Sequence, residues 1–222
     1  MNSNQKNTER RQFLKTAATL SAGITGMLML PKTGFSMPQG PDPSPTVIGP
    51  REGYSPQIGT LVSMMGFCRY AVVSQVKGMT TEQLDFLLDD KANSIGALLF
   101  HLAACDAFYH EHTFKGTPFE KADEAVTRKF SVAMELGDPA RKAIKGNNVD
   151  FYLDMLRETR ENTLAEFRKR DDAWLMTIDK TWYWGPTNNY CKWFHVCEHE
   201  SHHQGQMALL KSRIPGIKAA NS

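Results

Sequence analysis

From Ile58 onward, apolar side chains recur every three or four residues. Ile58, Leu61, Val62, Met65, Val72 and Val76 form the first run, the spacing that turns one side of a helix toward a core. Gly78 is placed to end it. The stretch from Met79 to Leu88 opens on a threonine cap and predicts a short helix, with a turn over 89–93. A second long helix is capped by Asn93 or Ser94 and runs to about Phe114, with Leu98, His101, Cys105 and Phe108 on one stripe. A third follows Asn148 and carries Val149, Leu153, Leu156, Arg160, Leu164 and Phe167. A fourth spans about 188–213 and stops before Pro215-Gly216. Residues 115–147 hold Gly116, Pro118, Gly137, Pro139 and Gly146, which predicts a long connection with one or two short helical turns around 122–136. Residues 168–190 form a second connection, rich in Trp. No strand-like alternation persists. Four long amphipathic helices without strands predict an all-α fold, a four-helix bundle.

The pattern changes before Gln57. Pro38, Pro41, Pro43, Pro45, Pro50 and Pro56, with Gly40, Gly49 and Gly53, forbid regular structure and mark a linker over 38–56. Residues 1–37 place Arg10-Arg11 ahead of a weakly apolar run from Thr16 to Leu30. That run is too short and polar to span a membrane comfortably and reads as an export signal. It resembles a twin-arginine translocation signal through Arg10-Arg11-Gln-Phe13-Leu14-Lys15, with Glu9 departing from the pattern. The resemblance implies export of a folded, metal-loaded protein to a periplasmic or other extracytoplasmic workplace. No Cys closes the apolar run, so no lipid anchor is indicated. The expected organisation is a signal peptide (1–37), a linker (38–56), a bundle (57–216) and a tail (217–222).

At 222 residues there is room for one domain plus these extensions. A net charge of +2 gives no sign of a nucleic-acid or polybasic membrane partner. Cys68, Cys105, Cys191 and Cys197 form no C-x-x-C pair and sit in helix-like stretches. Buried thiols are expected rather than a disulfide framework.

The chemistry gathers near the C-terminal end, where four of the seven histidines lie between 195 and 203. His199 and His203 are one turn apart on the apolar face of the fourth helix, a spacing that suits two imidazoles on one metal ion. His195 and His199 have the same spacing, and spacing does not choose between the pairs. His101 is the histidine on the inward stripe of the second helix, where a facing helix contributes ligands to a bundle core. Cys105, one turn further on, is a candidate soft fourth ligand. His110 and His112 suit the helix dipole. Three imidazoles with an open position describe a catalytic rather than a structural metal site.

Ser94-Ile-Gly-Ala-Leu-Leu-Phe-His101-Leu-Ala-Ala and His195-Val-Cys-Glu-His199-Glu-Ser-His202-His203-Gln-Gly205-Gln206 resemble the paired motifs of the DinB/YfiT-like superfamily. Gly78-Met-Thr-Thr-Glu-Gln-Leu and Ile214-Pro-Gly216 extend the likeness over about residues 57–216. The resemblance implies a four-helix bundle with a long crossover, a metal triad of His101, His199 and His203, and frequent dimers. It demotes His195 and His202 to flanking positions.

Such a site lowers the pKa of a bound water or activates a thiolate. The leading expectation is a metal-dependent hydrolase, with Glu200 as a base at the site's edge and Gln206 orienting the water or His101. The alternatives are a thiol S-transferase and a non-catalytic, stress-associated metal-binding module. Export tilts the reading toward hydrolysis, because low-molecular-weight thiols are chiefly cytoplasmic. The expected cofactor is Zn²⁺ or Ni²⁺, which suit imidazole. Gly205 is expected to permit close helix packing. The substrate, an unknown small molecule, is not legible.

Overall fold

The computed structural model describes residues 44–217. The expected signal and the first part of the linker lie outside the described residues.

Four long helices dominate. Helix α1 is Pro56–Val76, with Pro56 in its first turn, where no hydrogen bond is lost. Its free N–H groups are met from a distance: the Asp172 carboxylate accepts from Gln57 N at 3.1 Å and from Ile58 N at 3.3 Å. The helix ends at Lys77, and Gly78 follows at φ 77°. Helix α2, Thr81–Leu84, is shorter than the expected 79–88 stretch. Thr80 and Gln83 form its capping box. Asp89 then draws the chain into a turn by accepting from Lys91 N and Ala92 N. Helix α3, Ile95–Thr113, is capped by Ser94. Asn93 instead accepts from Gly137 N at 2.9 Å, pinning the later connection to the start of α3.

The 114–148 connection is more ordered than its Gly and Pro content suggests. It contains α4, Glu124–Glu135, and α5, Gly137–Ala143. Only Phe130 and Ala133 of α4 are buried, too few for a recognisable stripe. Asn148 caps α6, Val149–Phe167. Then come α7, Asp172–Met176, and a minimal antiparallel pair, β1 (Ile178–Asp179) with β2 (Thr187–Asn188). Two residues per strand is too short for any alternation to register. Asn188 caps α8, Asn189–Arg213.

The long helices pack in a ring: α1 against α8, α8 against α3, α3 against α6, and α6 against α1. Helix α4 covers the outside of α3. The apolar interior is divided in two. One cluster holds Val72, Leu99, Leu102, Tyr152 and Met207, with Phe130 and Ala133 from α4. The other holds Ile58, Met65, Tyr109, Phe167 and Trp193. Between them lies a charged layer with one residue from each long helix: Arg69 (α1), Asp106 (α3), Arg160 (α6) and Glu200 (α8). Arg160 Nε donates to Asp106 Oδ2 at 3.0 Å, Arg69 Nη2 donates to the same oxygen at 3.0 Å, and both guanidiniums donate to Glu200 Oε1. Two positive and two negative side chains thus neutralise one another inside the bundle. Among the described residues, no helix is long and apolar enough to cross a membrane.

Candidate metal site

Helices α3 and α8 face each other, and their inward stripes bring His101, His199 and His203 together. His101 Nε2 is 3.2 Å from His199 Nε2, which is 2.9 Å from His203 Nε2. The outer nitrogens are already engaged. His101 Nδ1–H donates to Ala133 O at 2.9 Å, a carbonyl in the last turn of α4 that has no partner within its own helix. His203 Nδ1–H donates to Gln206 Oε1 at 2.8 Å. A carbonyl oxygen can only accept, so both rings carry their proton on Nδ1 and turn a lone pair inward from Nε2.

This arrangement fits a metal ion. With two of the rings deprotonated at Nε2, His199 has at most one proton to share with them. A cation in the middle serves all three lone pairs at once. Imidazoles bound at about 2.1 Å stand about 3.4 Å apart around a tetrahedral ion and about 3.0 Å apart around an octahedral one. The observed 2.9 and 3.2 Å fall close to that range. Cys105 joins the group, with Sγ 3.7 Å from His101 Nε2. Candidate ligand atoms of His101, Cys105 and His199 lie within 4.8 Å of one another.

Electrostatics favour the neutral ligand form. Burial holds His199 down to about 3, helped by the charges of His203 and His101. Burial likewise holds His203 down to about 4, against the hydrogen bond it donates to Gln206. His101 is also lowered by burial, more than its backbone hydrogen bonds raise it. Buried imidazoles so lowered are uncharged near neutral pH, the form that a metal ion can bind.

Other expected residues fall elsewhere. Glu200 does not stand at the edge of the site. It is buried in the charged layer, its Oε1 held by Arg69 and Arg160 and its Oε2 without a hydrogen-bond partner. The two guanidiniums thus draw its carboxylate into the charged layer. Gln206 orients His203 rather than His101, and its amide donates to His202 Nε2 at 3.1 Å. His202 is thereby a partner of the positioning residue. His195 Nδ1 pairs with Glu198 at 3.2 Å, and its ring lies 5.5 Å from His199, between Tyr109 and Trp184. Gly205 permits no close packing, since a Cβ there meets open space. All four cysteines are free thiols, and Cys191 is exposed rather than buried. Burial and the charge of Lys115 hold His110 toward its neutral form, so it adds less to the helix dipole than expected.

Two cavities, of about 250 and 610 Å³, open elsewhere, and no triad imidazole lines either one. The site therefore rests on converging donors and not on cavity size.

A family profile described as Mycothiol-S-transferase matches residues 60–216. The chain belongs to the mycothiol S-transferase family, a DinB/YfiT-like family. The matched span takes in α3, α6 and α8 whole and nearly all of α1, so it includes every residue of the site and of the charged layer. No curated protein matches the chain. One solved structure, described as the conserved protein of locus from Enterococcus faecalis, is 15% identical with a TM-score of 0.56. It covers 71% of this chain and 96% of that one, and at this identity it shows the shared fold alone. Members of this family are typically metal-binding, and the cluster of His101, Cys105 and His199 could hold an ion.

The spacing of histidines pointed to the site; it did not point to what surrounds it. Ala133 was missed because a backbone carbonyl leaves no trace in a sequence. Arg160 did leave one, as a charge on the apolar stripe of α6.

Proposed function

We propose that the protein is a metal-dependent thiol S-transferase, joining the sulfur of a low-molecular-weight thiol to a small electrophile. The family match over the whole bundle carries this reading, together with three imidazole nitrogens aimed at one point. His101, His199 and His203 would hold the ion, with Zn²⁺ or Ni²⁺ suiting the donor set. Bound there, the ion would supply the positive charge that keeps a thiol ionised near neutral pH.

The chain's own residues would do the rest. Ala133 O and Gln206 fix the ligand tautomers, and the α4 carbonyl keeps His101 from rotating. Trp184 and Tyr183 present partly exposed rings beside His195, an apolar face on which an electrophile would sit. In the reaction the thiol gives its proton to solvent, its sulfur bonds to the electrophilic carbon, and the leaving group on that carbon departs with the bonding pair. Mycothiol is the first thiol to test, since the family carries its name.

Hydrolysis now ranks second. The base it called for, Glu200, is held by two guanidiniums. The export argument that favoured it rests on residues outside those described, whereas the family match rests on the bundle.

The test is conjugation of monochlorobimane to mycothiol, glutathione or cysteine by untagged, zinc- or nickel-loaded protein. Conjugate formed above the uncatalysed rate, and lost after chelation or in His203→Ala, supports the reading. Wild-type protein with bound metal and no rate above background for any thiol, together with ester or amide cleavage, overturns it in favour of the hydrolase.

A further inference from the structure

We propose that Cys68 and Cys197 form a redox-active pair, a site that takes a low-molecular-weight disulfide and is converted by it into a disulfide bond between α1 and α8. The inference goes beyond the metal site and does not depend on it.

The two residues meet across the seam between α1 and α8. Cys68 is half-buried on α1, and Cys197 is buried on α8. Both are free thiols, and they share a hydrogen bond. The helices are tied together at this level. Arg69, next to Cys68, donates from Nε to Glu200 Oε1 at 3.1 Å, and Glu200 lies one turn beyond Cys197. A disulfide needs side chains that already face each other, because packed helices yield little. Neighbouring thiols on two tied helices meet that need.

Access is the second argument. Both cysteines line the cavity of about 610 Å³, together with Ile48, Met64, Phe67 and Phe194. The exposed rings of Phe67 and Phe194 bring that cavity to the surface. Its size and apolar lining suit a small molecule. Cys105 and Cys191 do not line it.

The chemistry divides the two thiols into attacker and resolver. The hydrogen bond from Cys197 holds Cys68 below the ordinary thiol range, with the Arg160 and Arg69 guanidiniums assisting against burial and the charge of Glu200. Cys68 is therefore the attacking thiol. Its sulfur bonds to one sulfur of the small disulfide, the sulfur–sulfur bond breaks, and the other half leaves as a thiolate that takes up the proton Cys68 lost. Cys197 then attacks the Cys68 sulfur of this mixed disulfide, and the second small thiol leaves with the Cys197 proton. Two protein thiols are oxidised, and one small disulfide is reduced to two thiols.

The test uses the full chain carrying Cys191→Ser, which removes the exposed thiol, treated with excess oxidised glutathione. Intact mass and peptide mapping should show a bond between Cys68 and Cys197, no retained adduct, and about two glutathiones released per chain, all reversed by dithiothreitol. Adding Cys197→Ser should stop the exchange at one glutathione adduct on Cys68. Adding Cys68→Ser should leave the chain unmodified. A chain that keeps both thiols reduced overturns the inference. So does an adduct that persists on Cys68 while Cys197 is present, or a bond that forms only in urea.

Discussion

At the scale of single residues, the account turns on where protons sit. Ala133 O and Gln206 Oε1 place them on the outer nitrogens of His101 and His203. The spacing of histidines along α8 was legible, but two equal pairs were available. What separates them is lateral packing: His195 leans on Glu198 and a wall of aromatics, and His203 faces His101. Glu200 misled for a related reason. One residue on from His199 is a rotation of about 100° around the helix, enough to carry its carboxylate into the layer of Arg69 and Arg160. A consequence concerns pH. In the metal-free protein His199 is held to about 3 and His203 to about 4, whereas an unfolded chain protonates them near about 6.5. Below that pH the unfolded state binds more protons, so stability is full above about pH 6.5 and falls as the pH drops toward about 4. Urea unfolding of chelator-treated protein should show a lower midpoint at about pH 5 than at about pH 7.5; equal midpoints would contradict these depressed values.

Among the elements, the four long helices were readable because each carries a stripe and most carry a cap: Ser94, Asn148 and Asn188 all accept from the first turn they precede. Helix α4 was only half readable. It lies on the outside of α3 and buries two side chains, so its local pattern looks like a loop, yet it supplies the carbonyl that orients His101. Glycines divide in the same way between visible and hidden causes. Gly59 in α1 has Arg51 N only 2.5 Å from where a Cβ would stand, a backbone neighbour with little room to move. Gly205 in α8 faces open space. Gly59→Ala should therefore destabilise by about 1–3 kcal/mol, and Gly205→Ala should stabilise by up to about 1 kcal/mol. Thermal melts of the two variants check this, and a destabilised Gly205→Ala would mean that the glycine serves a contact absent from the isolated chain.

For the whole molecule, the all-α bundle and its family were legible from two motifs that lie nearly a hundred residues apart, because a metal site ties together helices that sequence keeps separate. The charged layer was not legible. Its four members come from four helices, and Arg160 alone stood out, as a charge on an apolar stripe. It sits between the two apolar clusters, with Asp106 five residues along α3 from His101 and Glu200 next to His199. The same cross-section of the bundle thus carries both the ion-pair layer and the candidate metal ligands. The most direct measurement is the metal content of untagged protein purified without added metal. The account predicts about one divalent ion per chain in the wild type, in His195→Ala and in His202→Ala, with loss of the ion in His101→Ala, His199→Ala and His203→Ala. Metal retained by the triad variants, or lost from His195→Ala or His202→Ala instead, would contradict it.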